Sequence, residues 1–193
     1  MSDGKALEHP FLVGGQIFLR GLMREDIEGP WFDWFHDQDN TRFMFNGARP
    51  NSRESMTQFY EHAATSPNDL VLAICMKENN RHVGNISLQR ISWFYRRAEL
   101  GIIVGDRSVQ GRGVATEALK LILAHGFNRL NLHKVYLRVE EGNGSARRAF
   151  EKAGFTVEGI LRDEIYHHRK WEASVYMGVL EEEFFARFPE LAS

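Results

Sequence analysis

Between Asp106 and Thr116 the chain reads Asp106-Arg107-Ser108-Val109-Gln110-Gly111-Arg112-Gly113-Val114-Ala115-Thr116. The chemistry open to such a segment is anion binding. Glycines without a Cβ let the backbone come close to a ligand. The unpaired N–H groups of a first helical turn, with the positive end of the helix dipole, suit a phosphate. Gly-x-Gly before a helix also marks a plain tight turn, and spacing alone leaves both readings open. Neither common nucleotide fingerprint is present: no Gly-Lys-Ser/Thr follows for a P-loop, and there is no third glycine for a dinucleotide fold.

A carboxylate, Glu99, lies in a predicted strand. It is either a proton acceptor or a strand residue on the solvated side of a sheet. Metal chemistry finds little support. His167-His168 are adjacent, so on a strand they point to opposite faces, and the other histidines form no HExxH array. The single cysteine, Cys75, cannot form an internal disulfide or a Cys-rich zinc site, and within an apolar strand it reads as a small core residue.

The elements that must position these residues follow from periodicity. Gln16–Arg20 reads as a first strand, and Arg24-Glu25-Asp26 opens a helix-like stretch whose Trp31, Trp34 and Phe35 read as packing residues at helical spacing. Ser52 followed by Ser55 predicts a capped helix through Glu61. Leu70–Met76 is β-rich, and Glu78–Arg81 turns it back through His82–Leu88. Ala98–Val104 is a further strand. Val114, Ala118, Leu121 and His125 keep helical spacing, Lys134–Val139 is a strand, and Ser145–Lys152 a shorter helix ending at Gly154. Phe155–Leu180 alternates as a long hairpin turning at His167–Lys170. This order predicts one α/β or α+β domain over residues 1–193, with its core at about 16–180.

Composition sets outer limits. The chain has 193 residues, 43% hydrophobic and 26% charged, as an ordinary globular domain has. Lys and Arg number 24 against 26 Asp and Glu, a formal charge of −2, so no bulk positive field draws it to nucleic acid or anionic lipid. No apolar run approaches the roughly 20 residues needed to span a bilayer, and Met1–His9 carry no signal-peptide core. A cytoplasmic protein is expected.

Four of these segments together resemble a known family. Gln110-x-x-Gly113-x-Ala115 resembles the Q/R-x-x-G-x-G/A acetyl-CoA loop of the GNAT superfamily of N-acetyltransferases. Asn143-Gly144-Ser145-Ala146 with Glu151-Lys152-Ala153-Gly154-Phe155 resembles its N-x-x-A/S…EKxGF element. Ile17–Arg20 and Glu158–Asp163 look like its RimJ/RimL-like branch. The resemblance covers about Gln16 to Leu180. It implies a mixed, mostly antiparallel sheet of about seven strands flanked by helices, with a splayed central strand pair.

It also implies a cosubstrate, acetyl-CoA, and no metal. Backbone amides of Gln110, Gly111, Arg112, Gly113, Val114 and Ala115 would hold the pyrophosphate, with the Thr116 hydroxyl in reach. Arg112 could equally be a solvated surface charge. Ile103 and Val104 would pair with the pantetheine arm, and Asn143 and Phe150 would adjoin it. Glu99 would be the base. The family's tyrosine acid is Phe150 here, and a phenyl ring donates no proton. Ser145 is then a candidate donor, or a helix cap, and Tyr136 a substitute.

Trp34–Asn46 further resembles a stretch of amino-sugar acetyltransferases from nonulosonic-acid pathways, which implies acceptor contacts from Trp34, Arg42 and Asn46. In place of that stretch's Arg-Asn after Trp, this chain has Phe35-His36. The expected partners are acetyl-CoA and an amine acceptor: a small amine, an amino sugar or a protein N-terminus. A homodimer through the strand edges of the last hairpin is expected as well. A non-catalytic acyl-CoA sensor on the same fold is the alternative, which Phe150 permits.

Overall fold

The computed structural model describes residues 6–44, 49–167 and 169–192. Among the described residues, eight strands form one sheet. They are β1 (Leu12–Val13), β2 (Ile17–Gly21), β3 (Leu70–Met76), β4 (His82–Ser92), β5 (Arg97–Val104), β6 (Lys134–Glu140), β7 (Thr156–His167) and β8 (Lys170–Leu180). Their order is β1-β2-β3-β4-β5-β6-β8-β7. The strand beyond the expected seven is two-residue β1, too short to leave a periodic signal. Helices α1 (Trp31–Trp34), α2 (Gln38–Thr41) and α3 (Arg53–Thr65) lie between β2 and β3. Helix α4 (Val114–Asn128) joins β5 to β6, α5 (Gly144–Lys152) joins β6 to β7, and α6 (Glu181–Arg187) follows β8.

All neighbours are antiparallel except β5 and β6. That parallel pair is joined only at Arg97–Lys134, Ala98–Val135 and Glu99–Tyr136. Beyond Glu99 the strands part, while β5 stays paired to β4 as far as Val104. The alternation of β5 divides its side chains between two layers. Ala98 and Leu100 join the main core with Ala118, Leu119 and Ile122 of α4. Ile103, on the face shared with Glu99, packs against Trp31, Trp34 and Met56 of α1 and α3.

The second layer is fixed to the sheet by a buried ionic cluster. Arg20 of β2 forks onto Asp26 at 2.8 and 2.7 Å, and His82 Nδ1 lies 3.3 Å from the same carboxylate. Burial alone would raise the Asp26 carboxyl. The hydrogen bonds from Arg20, His82 and the Met23 amide outweigh it and hold the group well below the usual carboxylate range. With its amide turned to satisfy its neighbours, Asn85 donates to His82 Nε2 (2.8 Å) and accepts from Trp31 Nε1 (2.9 Å).

Ser52 caps α3 reciprocally with Ser55, as the sequence predicts. The cap of α5 is Asn143 rather than Ser145. Its Oδ1 accepts from the Ala146 amide at 3.2 Å and from Ser145 Oγ at 3.1 Å. The helix begins at Gly144, so Ser145 already lies inside its first turn and the residue flanking the helix, Asn143, takes the role.

Candidate active site

The phosphate-type loop lies where β5 ends and α4 begins. Asp106 closes a tight 3-10 turn, accepting from the Ser108 amide at 2.8 Å, and Val109 anchors it in the core. Gly111 and Gly113 take φ of +75° and +84°, values that favour glycine. Gly113 is the N-cap of α4 and brings no side chain to its open amides. The amides of Gln110 and Arg112 turn inward, to Arg107 O (3.2 Å) and Val109 O (3.3 Å). Those of Gly111, Gly113, Val114, Ala115 and Thr116 donate to no backbone carbonyl among the described residues. Their row at the positive end of a 15-residue helix can take the oxygens of a pyrophosphate. Val114 itself is core, so it offers only its backbone.

The Gln110 side chain also points inward, its Nε2 donating to Val104 O at 3.0 Å and to Asn40 Oδ1 at 3.4 Å. It braces the loop, leaving the anion to the backbone. Arg112 is exposed, and its carbonyl accepts from Gln16 Nε2 at 3.2 Å.

Glu99 occupies the point where β5 and β6 part. Its side chain is only 18% exposed and is braced from two strands, by Arg90 at 2.8 Å and by Arg138 at 3.4 Å. Tyr136 stands directly across from it in the parallel pair, and Gln89 opposes it on β4. A shallow cavity lined by Phe59, His62, Asp69, Gln89 and Arg90 opens on this side. A carboxylate, a phenol and two guanidiniums therefore surround the end of the strand gap. The arrangement allows a reacting amine to meet a thioester lying along β5.

Other expected residues fall differently. Ile103 and Val104 lie on β5 along the open gap. Asn143 commits its Oδ1 to the cap, so Nδ2 is the atom it can offer a ligand. Phe150 is 7% exposed and packs edge-on against Phe155, as part of the core. Trp34, read both as a packing residue and as an acceptor contact, packs: it is 5% exposed and its ring covers Gly105 so closely that a Cβ there would come within 2.1 Å. Arg42 is exposed, its guanidinium over the Phe43 ring at 5.2 Å. Asn46 lies outside the described residues. Ser145 is exposed, its hydroxyl turned to Asn143. Burial pushes the Cys75 thiol up to about 11, which suits a core residue and not a nucleophile. Among the described residues no group of three His, Cys, Asp or Glu side chains is placed to hold a metal.

Sequence reasoning missed Arg90 and Arg138 around Glu99, and it missed the contacts tying α2 to the loop. Arg107 reaches Asp37 and, at 2.8 Å, Asp39, while Asn40 Nδ2 donates to Gly105 O at 2.9 Å. These partners lie about seventy positions apart, beyond any local pattern.

Comparison with known proteins gives the family. A family model described as an acetyltransferase (GNAT) domain matches residues 16–156. The chain is 31% identical over 174 residues to spermidine N(1)-acetyltransferase of Escherichia coli strain K12, covering 88% of this chain and 89% of that one. It is 27% identical over 177 residues to the Vibrio cholerae enzyme of the same name, covering 91% and 99%. A crystal structure of Vibrio cholerae spermidine N-acetyltransferase in complex with CoA and spermine matches with a TM-score of 0.80 at 25% identity, over 89% of this chain and 99% of that one. A Bacillus anthracis GNAT-family acetyltransferase shares the fold, with a TM-score of 0.77 at 22% identity. This chain is a member of the GNAT family of N-acetyltransferases.

Proposed function

We propose that the protein transfers the acetyl group of acetyl-CoA directly to a primary amine of a small acceptor, with a polyamine the first to test. The observation that carries the reading is the set of open amides of Gly111 and of Gly113 to Thr116, beside a strand gap that ends at Glu99. The polyamine choice is supported by the names of the relatives.

The cosubstrate supplies an activated thioester, and this chain's residues supply position and proton transfer. An alkylammonium with a pKa near 10.4 must lose a proton before it attacks. Glu99 takes that proton, directly or through one water, from the face that carries the shallow cavity. Charge developing on the thioester oxygen is met by backbone N–H groups of β5 beyond Glu99, where β6 no longer competes for them. The thiolate leaves readily at its ordinary acidity. Tyr136, across the vertex from Glu99, is the hydroxyl best placed to protonate it. Ser145, engaged with Asn143, is the weaker candidate.

The finer assignments belong to the same proposal: the RimJ/RimL-like branch, a cytoplasmic setting and a homodimer. The amino-sugar reading loses its Trp34 contact to packing and keeps only exposed Arg42. A protein N-terminus is the second acceptor reading, favoured by the open floor beyond Glu99, where Arg138 is 45% exposed. Thiol release from acetyl-CoA, measured with spermidine, a monoamine, an N-terminal peptide and a nucleotide amino sugar, tests the reading. Turnover is expected with spermidine. Binding of acetyl-CoA without turnover on any acceptor would contradict it and leave a sensor.

A further inference from the structure

The cofactor loop and the acceptor-side helices are laced together at one seam. Gly105, between β5 and the loop, is the knot. Its amide donates to Val83 O at 3.0 Å. Its carbonyl accepts from Asn40 Nδ2 at 2.9 Å. Its missing Cβ makes room for the Trp34 ring, which stands edge-on to His82 at 5.0 Å. Asn40 Oδ1 accepts in turn from Gln110 Nε2, which also holds Val104 O. One turn further, Arg107 bridges Asp37, the N-cap of α2, and Asp39. These hydrogen bonds pull the Asp37 carboxyl below its ordinary range and raise the guanidinium.

The contacts of Asn40 and of Arg107 join groups that would move with the loop to groups on α2. Val104 O and the Gln110 side chain belong to the strand end and loop expected to take the pantetheine and pyrophosphate. Asn40, Asp37 and Asp39 sit on α2, which follows α1 with its packing on Ile103. A ligand that orders Gly111–Thr116 thus orders residues 31–44 through Asn40 and Arg107, and coupling between two sites works equally in both directions.

We propose that Asn40 and Arg107 are positioning residues that couple occupancy of the cofactor loop to the geometry of the acceptor wall. Neither touches a reacting atom. The inference rests on the loop taking CoA, as proposed above.

The test is amide hydrogen exchange of the full-length protein with and without saturating CoA, in the wild type, Asn40→Ala and Arg107→Gln, with CoA affinity measured by titration. In the wild type, CoA slows exchange both in 111–116 and in 31–44. In the variants the first effect stays and the second falls by about tenfold, near the lower end of ordinary coupling energies. CoA affinity changes by less than about threefold, a shift under 1 kcal/mol. Arg107→Lys, which keeps charge without the fork, restores part of the protection of 31–44. A segment 31–44 equally protected by CoA in wild type and both variants overturns the proposal. So does one that is unprotected in the wild type while 111–116 responds. Absence of CoA binding to the wild type would instead sink the functional reading.

Discussion

Glu99 carries the chemical argument at the scale of single residues, because it places a carboxylate at the point where β5 and β6 part. Exchanging it for glutamine keeps its shape and removes its capacity to take a proton. Turnover of Glu99→Gln at pH 7 is expected to fall about a hundredfold, the usual scale of general-base catalysis. The deficit narrows as pH rises toward the amine's own pKa of about 10.4. An unchanged pH–rate profile would remove Glu99 from the proton path. Asp26 carries a structural argument of the same kind. Asp26→Ala leaves Arg20, 5% exposed, with its buried charge unpaired, and costs about 3–5 kcal/mol of stability by urea denaturation. Because the folded state holds the Asp26 carboxyl below its unfolded value, that stabilisation is complete above the ordinary carboxylate range. It is lost as pH falls through and below it. His125 acts in the same direction at higher pH. Burial and Arg129 lower its pKa, so its share is present above about pH 6.5 and is lost on acidification. Thermal midpoints measured from pH 8 to pH 3 are therefore expected to fall in two stages, and His125→Gln removes the first.

At the scale of elements, the sequence was most legible where local chemistry decides the outcome. Ser52 and Ser55 announced the start of α3, and Gly111 and Gly113 announced a turn into α4, because caps and positive-φ glycines act on their nearest neighbours. The start of α5 was misjudged because two polar residues, Asn143 and Ser145, flank Gly144 and either could cap, the outcome depending on the residue at which the helix begins. Asn143→Ala is expected to lower stability by about 1 kcal/mol, while Ser145→Ala stays within about 0.5 kcal/mol, as exposed substitutions do. A thermal melt of both variants checks the assignment. The seam at Gly105 was invisible in the sequence, since a glycine before an aspartate gives no hint of a tryptophan ring drawn from seventy positions away. Gly105→Ala drives a methyl into Trp34 and is expected to cost about 1–3 kcal/mol. Loss of less than that would show that α1 can slide on the sheet without strain.

At the scale of the whole molecule, one long strand stands out. β7 forms the far edge of the sheet, paired only with β8, and Val157, Ile160 and Leu161 are exposed along it. An open edge carrying apolar residues is the feature that a second copy would cover. Sedimentation equilibrium is expected to give a dimer that Ile160→Asp weakens, and a monomer at all concentrations would contradict the homodimer. The order of the seven longer strands, of α3, α4 and α5 and of the final hairpin was readable from periodicity and motifs, whereas β1, α2, α6 and the acceptor side were not. The walls proposed for it, from α1, α2, β4 and β6, meet only through tertiary packing, and the arginines beside Glu99, Arg90 and Arg138, look like any surface arginine in sequence. The central claim concerns the five open amides at the start of α4. It is tested most directly by titrating the wild-type protein with CoA and with pantetheine, which lacks the pyrophosphate. Binding of CoA at least about a hundredfold tighter, near 3 kcal/mol, is the predicted result, and equal affinity for the two would contradict it.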